Sequence, residues 1–372
     1  MLSRILKFIR GEAVLSIAFA CACVSVAITG DVAHVPDYID WRVIGLLFCL
    51  MAAISGLQAS GVLGSVARRL VVGDHTRRSV CLALVLLPFF GSMVLTNDVA
   101  LITFVPIATL ALAAAGMRDL IVRVIVLQTI AANLGGMVTP FGNPQNLFIF
   151  TTYELSVSDF FFTLAPFGLL AFLIIVGACL VCGSQHTSVT LESGPGKVEP
   201  LRAAMYAALF LLGVLALMRV IPWQVLLLAV APALFIFDRE VFLHLDYGLL
   251  GTFVCFFVFS GNVAHMPALQ GFLSAAMDAH PMITSLLASQ VISNVPAAVL
   301  LAGFTGNWHS LLIGVDLGGL GTPIASLASL IALRLYLYEP DATTASFMRV
   351  FLAANVAVLA AMVGLYAVLF VL

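Results

Sequence analysis

The stretch that decides the fold is Asn133–Asn146, which reads NLGGMVTPFGNPQN. It lies in otherwise apolar sequence, yet it carries asparagine, threonine and glutamine side chains together with two prolines and three glycines. Because proline removes a backbone donor and glycine weakens a helix interior, the stretch predicts a broken helix. Within a bilayer, such a break persists only where protein or a water-filled cavity satisfies the freed backbone groups.

A second stretch repeats this pattern about half a chain length further on. Asp316–Ser329 reads DLGGLGTPIASLAS, so that Asn133 aligns with Asp316 and the Gly-Gly and Thr-Pro pairs align after them. Two broken helices in corresponding halves of a membrane protein predict a transporter with its binding site at the interface of the repeats.

The composition places the chain in the membrane. Of its 372 residues 62% are hydrophobic and 9% are charged, and the mean hydropathy is +1.16. Soluble domains have roughly 45–50% apolar and about 25% charged residues. The net charge of −2 and the lack of a basic tract argue against a nucleic-acid partner. The sequence therefore predicts a polytopic membrane protein whose main partner is the lipid bilayer.

The reactive residue types form no catalytic or metal-binding pattern. All seven cysteines lie in or beside apolar runs, and Cys179-x-x-Cys182 has no second pair to complete a metal site. No phosphate-binding loop, hydrolase motif or dinucleotide glycine pattern occurs, so we expect neither an enzyme nor a cofactor. Energy for transport would then come from a Na⁺ or H⁺ gradient, or from a partner ATPase, which no residue pattern indicates.

The apolar runs divide the chain into two halves, each with the same parts. The predicted units are a first repeat over 1–182, a linker over 183–202, a connecting helix over 203–217 and a second repeat over 223–372. The predicted re-entrant hairpins cover 79–116 and 280–304, and the predicted broken helices cover 121–150 and 311–338. Further spans are predicted at 13–29, 41–69, 160–182, 225–237, 247–265 and 347–372.

Positive charge predicts the orientation, since cytoplasmic loops carry an excess of Lys and Arg. With the amino terminus inside and both hairpins re-entrant, 14 of the 16 basic residues fall on the cytoplasmic side, and only Arg42 and Arg219 fall outside. If either hairpin is counted instead as a membrane crossing, the orientation of every later segment is inverted and this distribution of charge is lost. The sequence thus predicts inverted repeats in a bacterial inner membrane protein, with a cytoplasmic linker and a periplasmic carboxy terminus.

Asp98 is the first candidate for chemistry, because a carboxylate near the membrane midplane costs about 2.5–3.5 kcal/mol. It follows Thr96 and Asn97 at the predicted tip of the first hairpin, where it would bind a cation or a proton. The alternative is a helix cap, although three consecutive capping residues exceed what one turn needs. Asn97 and Asn294 occupy equivalent tips and each offers a carbonyl oxygen to a cation and an amide to an anion. We expect the two tips to converge on one central site.

Asp316 is the second acid within the predicted spans, and a shallow position at the outer interface is its alternative interpretation. Other polar side chains of the tips and breaks are candidates to line a site, although helix capping or helix–helix hydrogen bonding is the alternative for each. They are Thr139, Asn143, Gln145, Asn146, Ser293, Thr322, Ser326 and Ser329.

Four motifs give the chain its resemblance to a known family. They are Thr96–Ala100 (TNDVA), Gly135–Asn146, Ser293–Ala297 (SNVPA) and the glycine-rich repeat at 316–323. In these the chain resembles the ion transporter superfamily, which includes arsenite permeases, citrate–metal symporters, D-type sodium/proton antiporters and divalent-anion/sodium symporters. The overall pattern looks most like a small bacterial inner-membrane branch near the arsenite permeases. The resemblance implies an elevator-type transporter, in which a unit of hairpins and broken helices slides against a scaffold within a homodimer. It also makes Asn97, Asp98 and Asn294 candidates for a Na⁺ site.

One departure from the family pattern bears on the substrate. The sodium-coupled dicarboxylate members carry Ser-Asn-Thr at both tips, whereas the third positions here are Asp98 and Val295. A fixed negative charge repels a dianion, which brings the chain nearer the arsenite and antiporter members. We therefore expect a proton- or sodium-coupled transporter of a small anion or of a neutral metalloid acid such as arsenite. The alternatives are a cation/proton antiporter and, in another class, a non-transporting membrane subunit.

Overall fold

The computed structural model describes residues 12–30, 32–190, 198–243, 245–340 and 342–372. The helices of the first half are α1 (Ala13–Thr29), α2 (Trp41–Ala59), α3 (Val62–Val71), α4 (Arg77–Gly91), α5 (Asn97–Ala114), α6 (Ile121–Gly136), α7 (Pro144–Thr152) and α8 (Val157–Leu180). The helices of the second half are α9 (Pro200–Leu217), α10 (Trp223–Phe237), α11 (Arg239–Leu243), α12 (Tyr247–Val263), α13 (Pro267–Ala279), α14 (Pro281–Ile292), α15 (Asn294–Ala302), α16 (Trp308–Gly318), α17 (Leu327–Tyr336) and α18 (Thr344–Phe370). Within the described residues, one small antiparallel sheet pairs β1 (Gly73–Thr76) with β2 (His186–Val189).

The helices confirm the membrane class. In the described part of the chain, six are long and apolar enough to cross a bilayer, and the total is up to seven if the bent pair α12–α13 counts as one span. A spanning helix needs about 20 residues, because each residue adds about 1.5 Å. The protein is therefore an all-α polytopic membrane protein.

Each half contains one helical hairpin and one interrupted helix. The first hairpin is α4–α5, with its turn at residues 92–96, and the second is α14–α15, which Ser293 alone separates. The interruptions lie between α6 and α7 and between α16 and α17, where the prolines and glycines of the two repeated stretches fall. The local signals of proline and glycine therefore mark where helix ends.

The same helix crossing recurs in both halves. The first arm of each hairpin packs on the first part of the interrupted helix, α4 on α6 and α14 on α16. Gly135 and Gly318 allow the close approach: a Cβ atom on Gly135 would meet the Phe89 carbonyl oxygen, and one on Gly318 would meet the Ser289 side chain 2.6 Å away. Each glycine therefore lets an interrupted helix touch its hairpin.

Three elements differ from the sequence predictions. The single span predicted over 41–69 is two helices: α2 ends at Ala59, and Gly61 adopts φ +76° between it and the start of α3 at Val62. Residues 267–279, for which the sequence analysis makes no prediction, form α13 at 101° to α12, and Pro267 starts it. The linker predicted over 183–202 contains β2, so its first part is paired rather than free.

A second group of helices packs beside the hairpins. Here α2 packs against α9 and α10, and α1 packs against α12. Within this group the buried Tyr206 hydroxyl donates to Asp238 (2.9 Å), which also accepts from Arg202 (2.7 Å). At the other end of α2, Arg42 lies 3.8 Å from Glu154, and Arg219 lies 3.9 Å from the same carboxylate.

Candidate functional site

The first hairpin tip is attached to the first break through Asn97. Its backbone N–H donates to the carbonyl of Gly142 (3.1 Å), and its side-chain oxygen accepts from the backbone N–H of Asp98 (2.9 Å). Its side-chain amide donates to Oδ1 of Asn133 (2.8 Å). Because a helix start leaves N–H groups without intrahelical partners, this side chain and the broken backbone satisfy each other.

The second tip repeats two of these contacts with Asn294. The Asn294 N–H donates to the carbonyl of Ala325 (3.0 Å), and its side-chain oxygen accepts from the backbone N–H of Val295 (2.9 Å). The tip differs in its backbone, because Ser293 has φ +74° and ψ 156°, a region that L-residues seldom occupy, whereas Thr96 has φ −75°. The Ser293 hydroxyl donates to the same Ala325 carbonyl (3.3 Å).

The two breaks bind each other by reciprocal contacts. Asn143 in the first break donates to Asp316 of α16 (3.5 Å), and Ser326 in the second break donates to Asn133 of α6 (3.1 Å). Asn133 Oδ1 accepts from both Ser326 and Asn97, so the first tip and the second break share one atom. Since the second tip is bonded to Ala325, this network joins both tips across the centre of the protein.

Three further predicted site residues brace this arrangement, whereas the buried Ser329 hydroxyl has no hydrogen-bond partner among the described residues. Thr139 in the first break donates to the Met93 carbonyl just before the first tip (2.8 Å). Thr322 in the second break donates to the Gln290 carbonyl just before the second tip (3.2 Å). Asn146 donates to the Met137 carbonyl within the first break (3.1 Å). These three side chains hold backbone, which is the alternative that the sequence analysis gave for each.

A cavity of about 730 Å³ lies below the tips. The hairpin residues Thr96, Asp98, Ser293 and Val295 line it on one side. Residues of α1, α2, α12 and α17 supply most of the remaining lining, together with Pro144 of α7 and residues 245–246 before α12, and the cavity reaches residues on the protein surface. Oδ1 of Asp98 is buried and has no hydrogen-bond partner among the residues that the structure describes.

The charge of this cavity is predominantly negative. Among the described residues that line it, the acids are Glu12, Asp98 and Asp246, and the single base is Arg334. Partial burial, then the neighbouring Asp246 carboxylate, raise the pKa of Glu12, and Arg334 acts in the opposite direction. The lining therefore favours neutral or cationic ligands over polyanions.

Asp316 lies outside this cavity and is enclosed by protein, with 3% of its surface exposed. Its Oδ1 accepts from Gln145 (2.9 Å) as well as from Asn143, and its Oδ2 has no hydrogen-bond partner within the described part of the chain. The side chain thus sits at the contact of the two breaks.

Several residues at the centre had weaker signals in the sequence. Gln290 receives the Thr322 N–H and donates to the carbonyls of Gly318 (2.7 Å) and Leu320 (2.8 Å), so it replaces the hydrogen bonds lost at the second break. For Gln290, the available signal in the sequence is a lone amide within an apolar helix. Asp246 resembled an ordinary cap, and it does cap α12 through the Leu249 N–H (2.8 Å) while lining the cavity.

Within the described residues, no group of three or more His, Cys, Asp or Glu side chains is placed to hold a metal ion. The two carboxylates of this region lie in separate places, Asp98 at the cavity and Asp316 at the contact of the two breaks.

Comparison with known proteins agrees with this geometry. The sequence model described as citrate transporter matches residues 5–307. The uncharacterized transporter MJ0456 of Methanocaldococcus jannaschii is 31% identical over 299 residues, which cover 80% of this chain and 81% of the relative. The inner membrane protein YbiR of Escherichia coli is 31% identical over 307 residues, which cover 81% of each. These similarities point to a transport protein rather than an enzyme.

Proposed function

Because the chain belongs to the citrate transporter family, we propose that this multi-pass membrane transporter is a secondary active carrier driven by a proton or sodium gradient. Its substrate would enter the cavity below the hairpin tips and contact Thr96, Ser293 and Val295. The observation that carries the proposal is Asp98: a tip carboxylate that faces the cavity and has one buried oxygen without a partner. A carboxylate with no fixed counter-ion is free to take up and release a cation as access alternates.

We propose a small acid that is neutral or singly charged as the substrate, such as a metalloid acid. The three cavity carboxylates outnumber Arg334, and Val295 replaces the hydroxyl that a dicarboxylate site would use. A citrate-like polyanion would meet unfavourable charge at the first tip. We therefore do not expect citrate itself to be the substrate of this carrier.

A cation/proton antiporter is the second candidate, and the surplus of acid favours it. In that mechanism Asp98 would bind the cation and the proton in competition, and the substrate would be the cation itself. The two candidates differ in the transported species, which is a neutral or singly charged acid in the first and an alkali cation in the second.

The arrangement of helices supports an elevator motion. We assign α4–α8 and α14–α18 to a carrier and α1, α2, α9, α10 and α12 to a scaffold, and residues of both groups line the cavity. Sliding of the carrier past the scaffold would move both tips together, because the reciprocal contacts between the breaks join them. We propose that this unit works as a homodimer in the bacterial inner membrane.

The test of the function is flux into proteoliposomes. Purified protein is assayed with arsenite, monocarboxylates, citrate and alkali cations, with and without proton and sodium gradients. We expect gradient-dependent uptake of a neutral or singly charged acid and little uptake of citrate. Gradient-driven citrate uptake would contradict the substrate class, and the absence of flux for every compound would contradict the carrier.

The test of the orientation uses a cysteine at Ser188, on β2, in a variant whose native cysteines are replaced. We expect an impermeant thiol reagent to label it only after the membrane is opened, since β2 belongs to the segment that we place in the cytoplasm. Labelling in intact cells would show that the orientation is the opposite of the one that we propose.

A further inference from the structure

A second cavity lies at the start of α2, beside the turn between α9 and α10. Its volume is about 500 Å³. As far as the structure describes it, the lining consists of two arginines, Arg42 and Arg219, one tryptophan, Trp223, and four uncharged apolar residues. This lining therefore holds two bases and no acid, whereas the acids outnumber the base in the cavity below the tips.

The two arginines approach one carboxylate, that of Glu154 after α7. The Arg42 guanidinium lies 3.8 Å from one carboxylate oxygen, and the Arg219 guanidinium lies 3.9 Å from the other. Both distances are longer than a hydrogen bond, so the carboxylate does not occupy the N–H donors of either guanidinium. The Glu154 side chain is 67% exposed, and exposed ion pairs contribute little to stability. Folding alone therefore does not explain why two arginines stand here.

Arg219 has an unfavourable backbone conformation. The end of α9 is a Schellman motif, in which the Arg219 N–H donates to the Ala216 carbonyl (3.1 Å) and the Val220 N–H donates to the Leu215 carbonyl (2.9 Å). The motif places Arg219 at φ +62°, a position at which glycine is the usual residue. Backbone strain of this kind is concentrated at functional sites. The arginine at a glycine position therefore indicates a function for its guanidinium.

Two tryptophans indicate the depth of this cavity in the bilayer. Trp223 begins α10, and its indole packs so closely on α2 that a Cβ atom on Gly45 would lie 2.7 Å from the ring. Trp41 begins α2 beside Arg42 and is 55% exposed. Because tryptophan is enriched where the membrane meets water, we place the cavity at the level of the lipid headgroups. The apolar part of its lining includes Val220, which is 64% exposed.

We propose that this cavity binds an anionic phospholipid, with the phosphate held by Arg42 and Arg219. Guanidinium N–H groups match the oxygens of a phosphate in spacing and in charge. A free phosphate would use the arginines alone, whereas the apolar lining beside them suits a molecule that also carries hydrocarbon. The orientation proposed above makes the ligand a lipid of the periplasmic leaflet.

Glu154 competes with the lipid for the two arginines. A phosphate that binds both guanidiniums comes close to this carboxylate, and the two like charges repel each other. Glu154 also stands at a glycine position, with φ +54°, because the Leu155 N–H donates to the Phe150 carbonyl (3.1 Å) at the end of α7. Removal of its charge should therefore strengthen lipid binding, whereas removal of either arginine should weaken it.

Binding of phosphatidylglycerol to the purified full-length protein in detergent tests the proposal and requires no transport. Native mass spectrometry measures the affinity for the most tightly bound lipid, with phosphatidylcholine as the zwitterionic comparison. We expect Arg42→Gln and Arg219→Gly each to weaken phosphatidylglycerol binding by about fivefold, and Glu154→Gln to strengthen it by about the same factor. The matched control is Arg349→Gln, which removes an exposed arginine of α18 outside the cavity and should retain wild-type affinity.

Arg219→Gly protects the test against misfolding, because glycine adopts φ +62° without strain. We expect its thermal midpoint without lipid to equal or exceed that of wild type. The site would be overturned by absence of phosphatidylglycerol binding in wild type, by wild-type affinity in both arginine variants, or by weaker binding in Glu154→Gln. Equal weakening in Arg349→Gln would also overturn it. Equal affinity for phosphatidylcholine, or displacement of the lipid by an equal concentration of inorganic phosphate, would overturn an anionic lipid as the ligand.

Discussion

The two halves of the carrier share their framework but differ in where they place a carboxylate. Both tips donate a backbone N–H to a break, both cap the next residue with an asparagine oxygen, and both breaks use a threonine to hold the hairpin. The acid of the first half is at the tip, Asp98, where the second half has Val295. The acid of the second half is on the interrupted helix, Asp316, where the first half has Asn133.

This difference shows which contacts the fold needs. Backbone groups, amides and threonine hydroxyls make the shared contacts, and all of these are neutral, so the shared framework does not depend on where the two carboxylates lie. The ionisable residues occupy positions that the other half fills with a neutral residue. Charge at these places is therefore better explained by function than by folding.

Removing the tip acid should have the largest effect. We expect Asp98→Asn to fold and insert, because the amide is similar in shape and Asn97 already caps the Asp98 N–H. Gradient-driven accumulation should be abolished, while downhill exchange continues. Proteoliposome assays of both modes measure this, and Asp119→Asn, which removes an exposed carboxylate outside the cavity, is the control. Full gradient-driven accumulation by Asp98→Asn would show that Asp98 serves only as a helix cap.

The two crossing glycines should differ in their tolerance of a methyl group. In Gly135→Ala the new Cβ meets a backbone carbonyl that cannot move away, whereas in Gly318→Ala it meets the Ser289 side chain. Overpacking costs about 1–3 kcal/mol, and we expect Gly135→Ala to be at the upper end. Thermal midpoints in detergent give the comparison. Equal thermal midpoints for the two variants would show that both helix crossings tolerate an added methyl group to the same extent.

The backbones of the two tips should respond in opposite directions to glycine. Ser293 holds a conformation that costs roughly 1–3 kcal/mol, and glycine adopts it without strain. Thr96 is in an ordinary extended conformation, where glycine adds about 0.5–1 kcal/mol of entropy cost. We expect Ser293→Gly to raise the thermal midpoint and Thr96→Gly to lower it. A lower midpoint for Ser293→Gly would show that its hydroxyl bond to Ala325 outweighs the strain.

The ion pair at the base of the first hairpin should contribute least. Arg77 binds Asp119, beyond the end of α5, but the carboxylate is 61% exposed. Such pairs are worth about 0–1 kcal/mol, and salt screens them. We expect Arg77→Ala to shift the thermal midpoint slightly at low salt and not at high salt. A large shift that salt does not reduce would indicate a buried role.

Local chemistry explains what the sequence could predict. The membrane class, both breaks and both tips follow from hydropathy, proline, glycine and the repeat of one pattern, all of which act over short distances. The role of Asp98 in coupling stays a prediction.

The partners of the central residues were beyond sequence reasoning. Gln145 and Asp316 are 171 residues apart, and only the fold brings them together. In the sequence, Gln290 resembles an ordinary helix residue and Asp246 an ordinary helix cap. Their neighbours in the chain give no signal of a break or a cavity. The strand pairing was missed because four residues with no hydrophobic alternation carry little signal.

The small sheet has a consequence for how the protein is made. It pairs residues 73–76 with 186–189, and the first hairpin, the first interrupted helix and α8 all lie between these strands. During synthesis the amino-terminal segments fold first, so β2 can close this loop before the ribosome has produced α14. The described part of the second half has no strand of its own. In the nascent chain, Asn143 and Gln145 would then already be in their folded positions when Asp316 is synthesised. Asp316 would pack against them.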